Sequence, residues 1–100
     1  MRPLIFTEEA ASEYESAITW HETDRRGRGL KFLDSLETAL SHIQHSPRAF
    51  RAIAFDCRRA LVSHFPYSVV FKIEPDRIVI HAIFHNSRNP QRLARRLQQP

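Results

Sequence analysis

Apolar residues recur with two different periods along this chain, helical in its first half and strand-like in its second. Residues 2–6 read as a short opening strand. Thr7 followed by Glu8 and Glu9 then marks a helix start, a hydroxyl able to cap free amides ahead of acids at the positive end of the helix dipole. Ala10, Ala11, Tyr14, Ala17, Ile18 and His21 follow at helical spacing and predict one buried stripe, ending in the polar stretch 22–26. The chain's two glycines, Gly27 and Gly29, mark a break where left-handed or open backbone reverses the chain into a second helix. Leu33, Leu36, Leu40 and Ile43 carry the seam of that helix, broadened by Leu30, Phe32 and Ala39, until Ser46-Pro47 stops it.

Residues 47–57 show no period and are expected to form a loop. From Arg58 the period is two: Arg59, Leu61 and Ser63 alternate with Arg58, Ala60 and Val62, and after Pro66 the residues Tyr67, Val69, Phe71 and Ile73 share one strand face. Glu74-Pro75-Asp76-Arg77 supplies a turn. Residues 78–84 are apolar on both faces except at His81, which predicts a strand inside the sheet, and Asn89-Pro90 opens a short basic helix over 91–97. The predicted fold is α+β: an N-terminal strand, a helical hairpin laid on one sheet face, a three-stranded antiparallel meander and a short C-terminal helix. With 100 residues, 42% of them apolar, one domain spanning 1–100 is expected.

Charge changes this picture by adding a partner. Fifteen Lys plus Arg stand against eleven Asp plus Glu, and all the acids lie at or before Asp76, so Arg77, Arg88, Arg92, Arg95 and Arg96 give the C-terminal quarter a cationic field. An acidic peptide or nucleic acid is the implied partner; the plainer alternative is a solvated basic tail. The lone Cys57 excludes an intramolecular disulfide framework and a cysteine zinc cage. Leu4-Ile5-Phe6 is too short for a signal-peptide core or a membrane span, so a cytoplasmic protein without membrane contact is expected.

Several segments together resemble a known family over nearly the whole chain. These are Phe6-Thr7 with the acidic helix start; Ile43-Gln44-His45-Ser46-Pro47; Arg58-Arg59-Ala60-Leu61-Val62; Phe65-Pro66-Tyr67-Ser68-Val69-Val70-Phe71; and Ile80-His81-Ala82-Ile83-Phe84-His85-Asn86-Ser87-Arg88-Asn89-Pro90. In order and spacing they resemble the RelE/ParE superfamily of toxins from type II toxin–antitoxin systems. The resemblance implies a growth-inhibiting, plasmid-stabilising type of toxin that uses no cofactor and is neutralised by a cognate antitoxin with an acidic tail. RelE-like members cut messenger RNA on the ribosome, whereas ParE-like members poison DNA gyrase without cutting anything themselves. The Pro66-Tyr67 strand and the His85-Asn86-Ser87-Arg88 exit look closer to ParE. RelE-type nucleases use lysines and arginines, or a Glu, Arg, His and Tyr set; here only Lys31 and Lys72 are present and no terminal tyrosine. A gyrase inhibitor that is not an enzyme is thus the leading expectation, and a metal-independent, ribosome-dependent endoribonuclease the alternative.

For the alternative, His85 would act as acid or base while Arg58 and Arg88 clamp phosphate; the plainer reading has His85 and Arg88 capping the strand exit. Candidate target- or antitoxin-binding residues are Arg58, Arg59, Tyr67, Arg88, Arg92, Arg95 and Arg96, with Tyr67 read as a core aromatic whose hydroxyl reaches the surface. A plain nucleic-acid-binding module using Arg92, Arg95 and Arg96 is a third reading. No metal site is expected: His81 and His85, on one face of a regular strand, would lie about 13 Å apart, and His42 with His45 lacks a third ligand. Cys57 is read as a small hydrophobe, and Trp20 as packing.

Overall fold

The fold, described for residues 1–98 in a computed structural model, begins with strand β1 (Leu4–Phe6) and helix α1 (Glu8–Asp24). Thr7 caps α1 as its sequence predicts, its hydroxyl accepting the Ala10 N–H at 3.1 Å. Helix α2 (Arg28–His45) follows after Gly27, which sits at φ 87°, a left-handed conformation that costs other residues free energy. A glycine cannot cap with a side chain. Glu22, reaching forward from α1, does so instead, accepting from the Gly27 and Gly29 amides at 3.0 and 3.1 Å. Gly29 is buried against α1.

Five strands form one sheet in the order β1-β5-β4-β3-β2, where β2 is Arg51–Ala52, β3 Cys57–Leu61, β4 Tyr67–Ile73 and β5 Ile78–His85. The expected antiparallel meander is β3-β4-β5. Beyond it, β1 runs parallel to β5, pairing Leu4 with Ile78 through Phe6 with Ile80. The stretch expected to be a loop contains a 3-10 turn (Pro47–Ala49) and β2, which pairs Arg51 with Arg59 and Ala52 with Arg58. Two residues carry too little pattern for a period to register.

The two sheet faces are both covered. Against the helical hairpin, Phe32, Leu36, Leu40 and Ile43 of α2 and Ala10 and Ala17 of α1 pack on Ala60, Val69, Phe71, Ile78, Ile80 and Ile83. On the other face Cys57, Val70 and Ala82 meet Ile53, Phe84 and the Leu93 and Leu97 of α3 (Pro90–Gln98). Asn89 starts α3, accepting the Gln91 N–H at 2.9 Å. Leu30, expected in the α2 stripe, is 71% exposed, because Phe32 and Gly29 take the inward positions of that first turn.

One irregularity reorients the end of β5. Val70 pairs with Ala82 and Phe71 with Ile80, so His81 is an extra residue without a partner on β4. The bulge shifts the alternation and removes His81 from the face that Ile83 and His85 share, correcting the expectation that both histidines lie on one face. On its other edge β5 has no neighbouring strand past Ile80, because β1 ends there. Side chains replace the missing strand. Glu13 Oε1 accepts the Ile83 N–H at 3.1 Å, and Arg96 of α3 donates to the His81 carbonyl.

Candidate functional site

The end of β5 and the loop after it divide two depressions, and Arg88 borders both. The first is an open cleft of about 490 Å³ between α1 and the sheet. Positions 12, 13, 16, 17, 20 and 21 of α1 fall on one helical face and form one wall; Tyr67, Ile83, His85, Ser87 and Arg88 form the other. Trp20, expected to be packed, is 59% exposed on the rim, since the inward positions beside it belong to Ala17 and His21.

The floor is aromatic. The Tyr67 ring meets those of His85, His21 and Phe32 edge-on at 4.9, 5.5 and 4.9 Å. His21 is only 4% exposed and also contacts Phe65 at 5.1 Å, yet among the described residues neither of its ring nitrogens has a hydrogen-bond partner. Burial pushes its pKa below the ordinary histidine value, helped by nearby Arg28 and opposed by Asp24, so the ring is neutral at pH 7. Burial likewise raises the Tyr67 hydroxyl pKa, with Arg88 pulling the other way. His85 Nδ1 accepts the Ser87 N–H at 3.1 Å and lies 2.7 Å from the Ser87 hydroxyl.

The second depression lies on the opposite sheet face under α3, lined by Arg59, Ser68, Phe84, Asn86, Leu93 and Leu97 among others. Ser68 is fully buried on β4 where an apolar residue would fit the strand pattern. It accepts from Arg59 Nε at 2.7 Å and donates to Asn86 Oδ1 at 2.6 Å, and Arg59 also reaches Asn86 at 3.1 Å. These contacts with the buried Ser68 hydroxyl and with Asn86 hold the exposed Arg59 at the groove edge.

The arginines singled out from sequence thus divide. His85, Arg88 and Tyr67 meet in the cleft. Arg58 does not join them: it donates to the Phe50 carbonyl at 2.7 Å, and sheet register puts it four residues along and two strands across from His85. That separation is roughly 16 Å at the backbone. Arg92 and Arg95 are exposed on α3, whereas Arg96 is committed to Glu13 at 2.8 Å and Glu9 at 3.1 Å, contacts that raise its pKa further. Sequence reasoning missed Glu13, Ser68 and Asn86, whose partners lie 70, 9 and 18 positions away, and no local pattern marks such pairings. His21 lies in the apolar stripe of α1, as its spacing predicts.

An α+β sheet with a helical hairpin on one face and a basic C-terminal helix on the other defines the architectural class. The family model for the ParE toxin of the type II toxin-antitoxin system, parDE, matches residues 4–90. The chain belongs to the ParE toxin family. Solved structures bear the same fold. A chain of the chromosomal ParDE toxin–antitoxin system from P. aeruginosa is similar at 17% identity and TM-score 0.72, over 85% of this chain and 96% of that one. A chain of the intact E. coli RelBE toxin–antitoxin complex is similar at 19% identity and TM-score 0.65, over 88% and 100%. The YoeB dimer from Staphylococcus aureus is similar at 13% identity and TM-score 0.57, over 83% and 94%. No curated protein matches the chain. It is therefore a toxin of the ParE/RelE kind from a type II toxin–antitoxin system.

Proposed function

We propose that this toxin arrests growth by acting on DNA gyrase as a protein–protein poison, and that a cognate acidic antitoxin silences it. The observation that carries the reading is the ParE family match over residues 4–90, which includes the Pro66-Tyr67 strand and the whole His85-to-Asn89 exit. The disposition of cations supports it: Arg58 and Arg96 are held elsewhere, so no phosphate-clamping set closes around His85. The antitoxin occupies the groove under α3, where Arg59, Arg88, Arg92 and Arg95 meet an acidic segment and Leu93 and Leu97 its apolar side chains. Like the family, the protein acts in the cytoplasm, and among the described residues no helix is long and apolar enough to cross a membrane.

The test is direct: purified toxin added to gyrase and relaxed plasmid. Supercoiling should fall with toxin concentration and recover when the antitoxin is added in excess; undiminished supercoiling at excess toxin refutes the reading. A ribosome-dependent endoribonuclease is the second reading, favoured by the meeting of His85, Tyr67 and Arg88 in one cleft. It requires His85→Ala to abolish message cleavage in translating extracts.

A further inference from the structure

A further concentration of cations lies at the end of the sheet opposite His85. There Arg48, Arg58 and Lys72, with Asp56 and the buried Cys57, line an open pocket of about 380 Å³ where the 3-10 turn, the β2–β3 hairpin and the end of β4 come together. Among the described residues the ion pairs join Arg77 to Glu74 and Arg96 to Glu9 and Glu13, so none of these three cations has a carboxylate partner. Arg58 is also pre-organised. Its Nη1 donates to the Phe50 carbonyl at 2.7 Å and the Arg48 carbonyl at 3.4 Å, which fixes the guanidinium, while Nε and Nη2 have no partner among the described residues. Those two nitrogens form the side of the fork that matches two oxygens of one oxyanion. Lys72 acts on the same space: burial raises the Cys57 thiol pKa, with Lys72 pulling it down and Asp56 pushing it up, so both charges reach the pocket floor.

Asp56, the pocket's one acid among the described residues, selects between anions. It stands at the tip of the β2–β3 hairpin, where Phe55 and Asp56 are held at φ 58° and 61°, a left-handed conformation unfavourable for both. Three cations over one carboxylate leave the pocket positive, which suits a small oxyanion. A carboxylate beside that oxyanion repels one with no proton to donate and accepts a hydrogen bond from one that has it. Inorganic phosphate retains a proton near pH 7; sulfate does not. We propose that this pocket binds inorganic phosphate, with two oxygens on the Arg58 fork, Arg48 and Lys72 balancing the charge, and the phosphate hydroxyl donating to Asp56. The site is independent of which macromolecule the toxin attacks.

The experiment follows the Arg58 Nε–H and the Cys57 amide by NMR while the full-length toxin, in chloride buffer at pH 7 and constant ionic strength, is titrated with phosphate, with sulfate and with a short DNA duplex. Saturable shifts of both signals by phosphate are expected, with sulfate about ten-fold weaker, the loss of one charge-assisted hydrogen bond. Asp56→Asn should erase that preference. Arg58→Lys should weaken phosphate about ten-fold, because an ammonium lacks the fork, with a thermal melt reporting an intact fold. Arg48→Gln should weaken phosphate about three-fold; the position is exposed, so this variant keeps its fold and tests the same cluster should Arg58→Lys unfold. Shifts that do not saturate, equal affinity of the wild-type chain for sulfate and phosphate, or phosphate affinity indifferent to Arg48→Gln overturns the proposal. So does a duplex that displaces phosphate from the same signals with far tighter, steeply salt-dependent binding, which makes the cluster part of a polyanion surface.

Discussion

Replacing Arg96 by methionine tests the account of how the C-terminal helix is held. The guanidinium spans Glu9, Glu13 and the His81 carbonyl, and Glu13 in turn satisfies the Ile83 N–H at the open edge of β5. The Arg96 and Glu13 side chains are only 21% and 23% exposed, so solvent screens the pair little. Methionine keeps the apolar stem and removes the charge. It strands a largely buried carboxylate, and hydrogen bonds to charged groups contribute roughly 1.5–3 kcal/mol. We expect a loss of about 2 kcal/mol, equivalent to a fall of roughly 10 °C in Tm for a domain of this size. Thermal melts of Arg96→Met, Glu13→Gln and the double variant form a cycle, and the double variant should be less destabilised than the sum by about 1 kcal/mol or more. Amide exchange at Ile83 should speed up in Arg96→Met and in Glu13→Gln. A cycle that is additive within about 0.3 kcal/mol, with Ile83 exchange unchanged, refutes the reasoning.

Three further outcomes follow from the same geometry. His21 and His81 both have pKa values lowered first by burial, so the unfolded chain binds more protons than the folded one below the ordinary histidine value of 6.5. Stability is therefore full above about pH 6.5 and declines as pH falls toward the depressed folded values; His21→Phe should flatten that decline in melts run from pH 7.5 to 5 and cost nothing at the upper end. A Cβ on Gly29 would lie 2.8 Å from Glu22 Cβ and 2.9 Å from the Ile18 carbonyl oxygen, so Gly29→Ala should cost about 1–3 kcal/mol by urea unfolding. Neutralising Arg92 and Arg95 to glutamine should weaken binding of the acidic antitoxin by roughly five- to thirty-fold and reduce its salt dependence, measured by calorimetry at two ionic strengths; unchanged affinity moves the antitoxin groove elsewhere.

Much of the fold was legible because its long elements carry strong local signals. Thr7, Gly27, Pro47 and Asn89 mark boundaries that the structure keeps within a residue or two, and the seam from Phe32 to Ile43 identifies the buried side of α2. What escaped sequence reading is non-local. A two-residue strand has no period, the parallel pairing of β1 with β5 joins segments more than seventy positions apart, and a single extra residue at His81 cannot be seen in a run that is apolar on both faces. The site divides the same way. His85 and Arg88 are neighbours in sequence and their meeting was foreseeable; the approach of Trp20 and His21 to them depends on how α1 crosses the sheet. Arg58 shows the reverse, a residue with the right chemistry whose strand register carries it away from His85.

Induced expression of the chain without its antitoxin tests the central claim most directly, scoring growth, plasmid supercoiling and the integrity of cellular messages by primer extension in the same culture. Arrest with loss of supercoiling and intact messages is expected, relieved by co-expressing the antitoxin. Arrest with normal supercoiling and translation-dependent cuts in messages would contradict it and assign the protein to the ribonuclease branch.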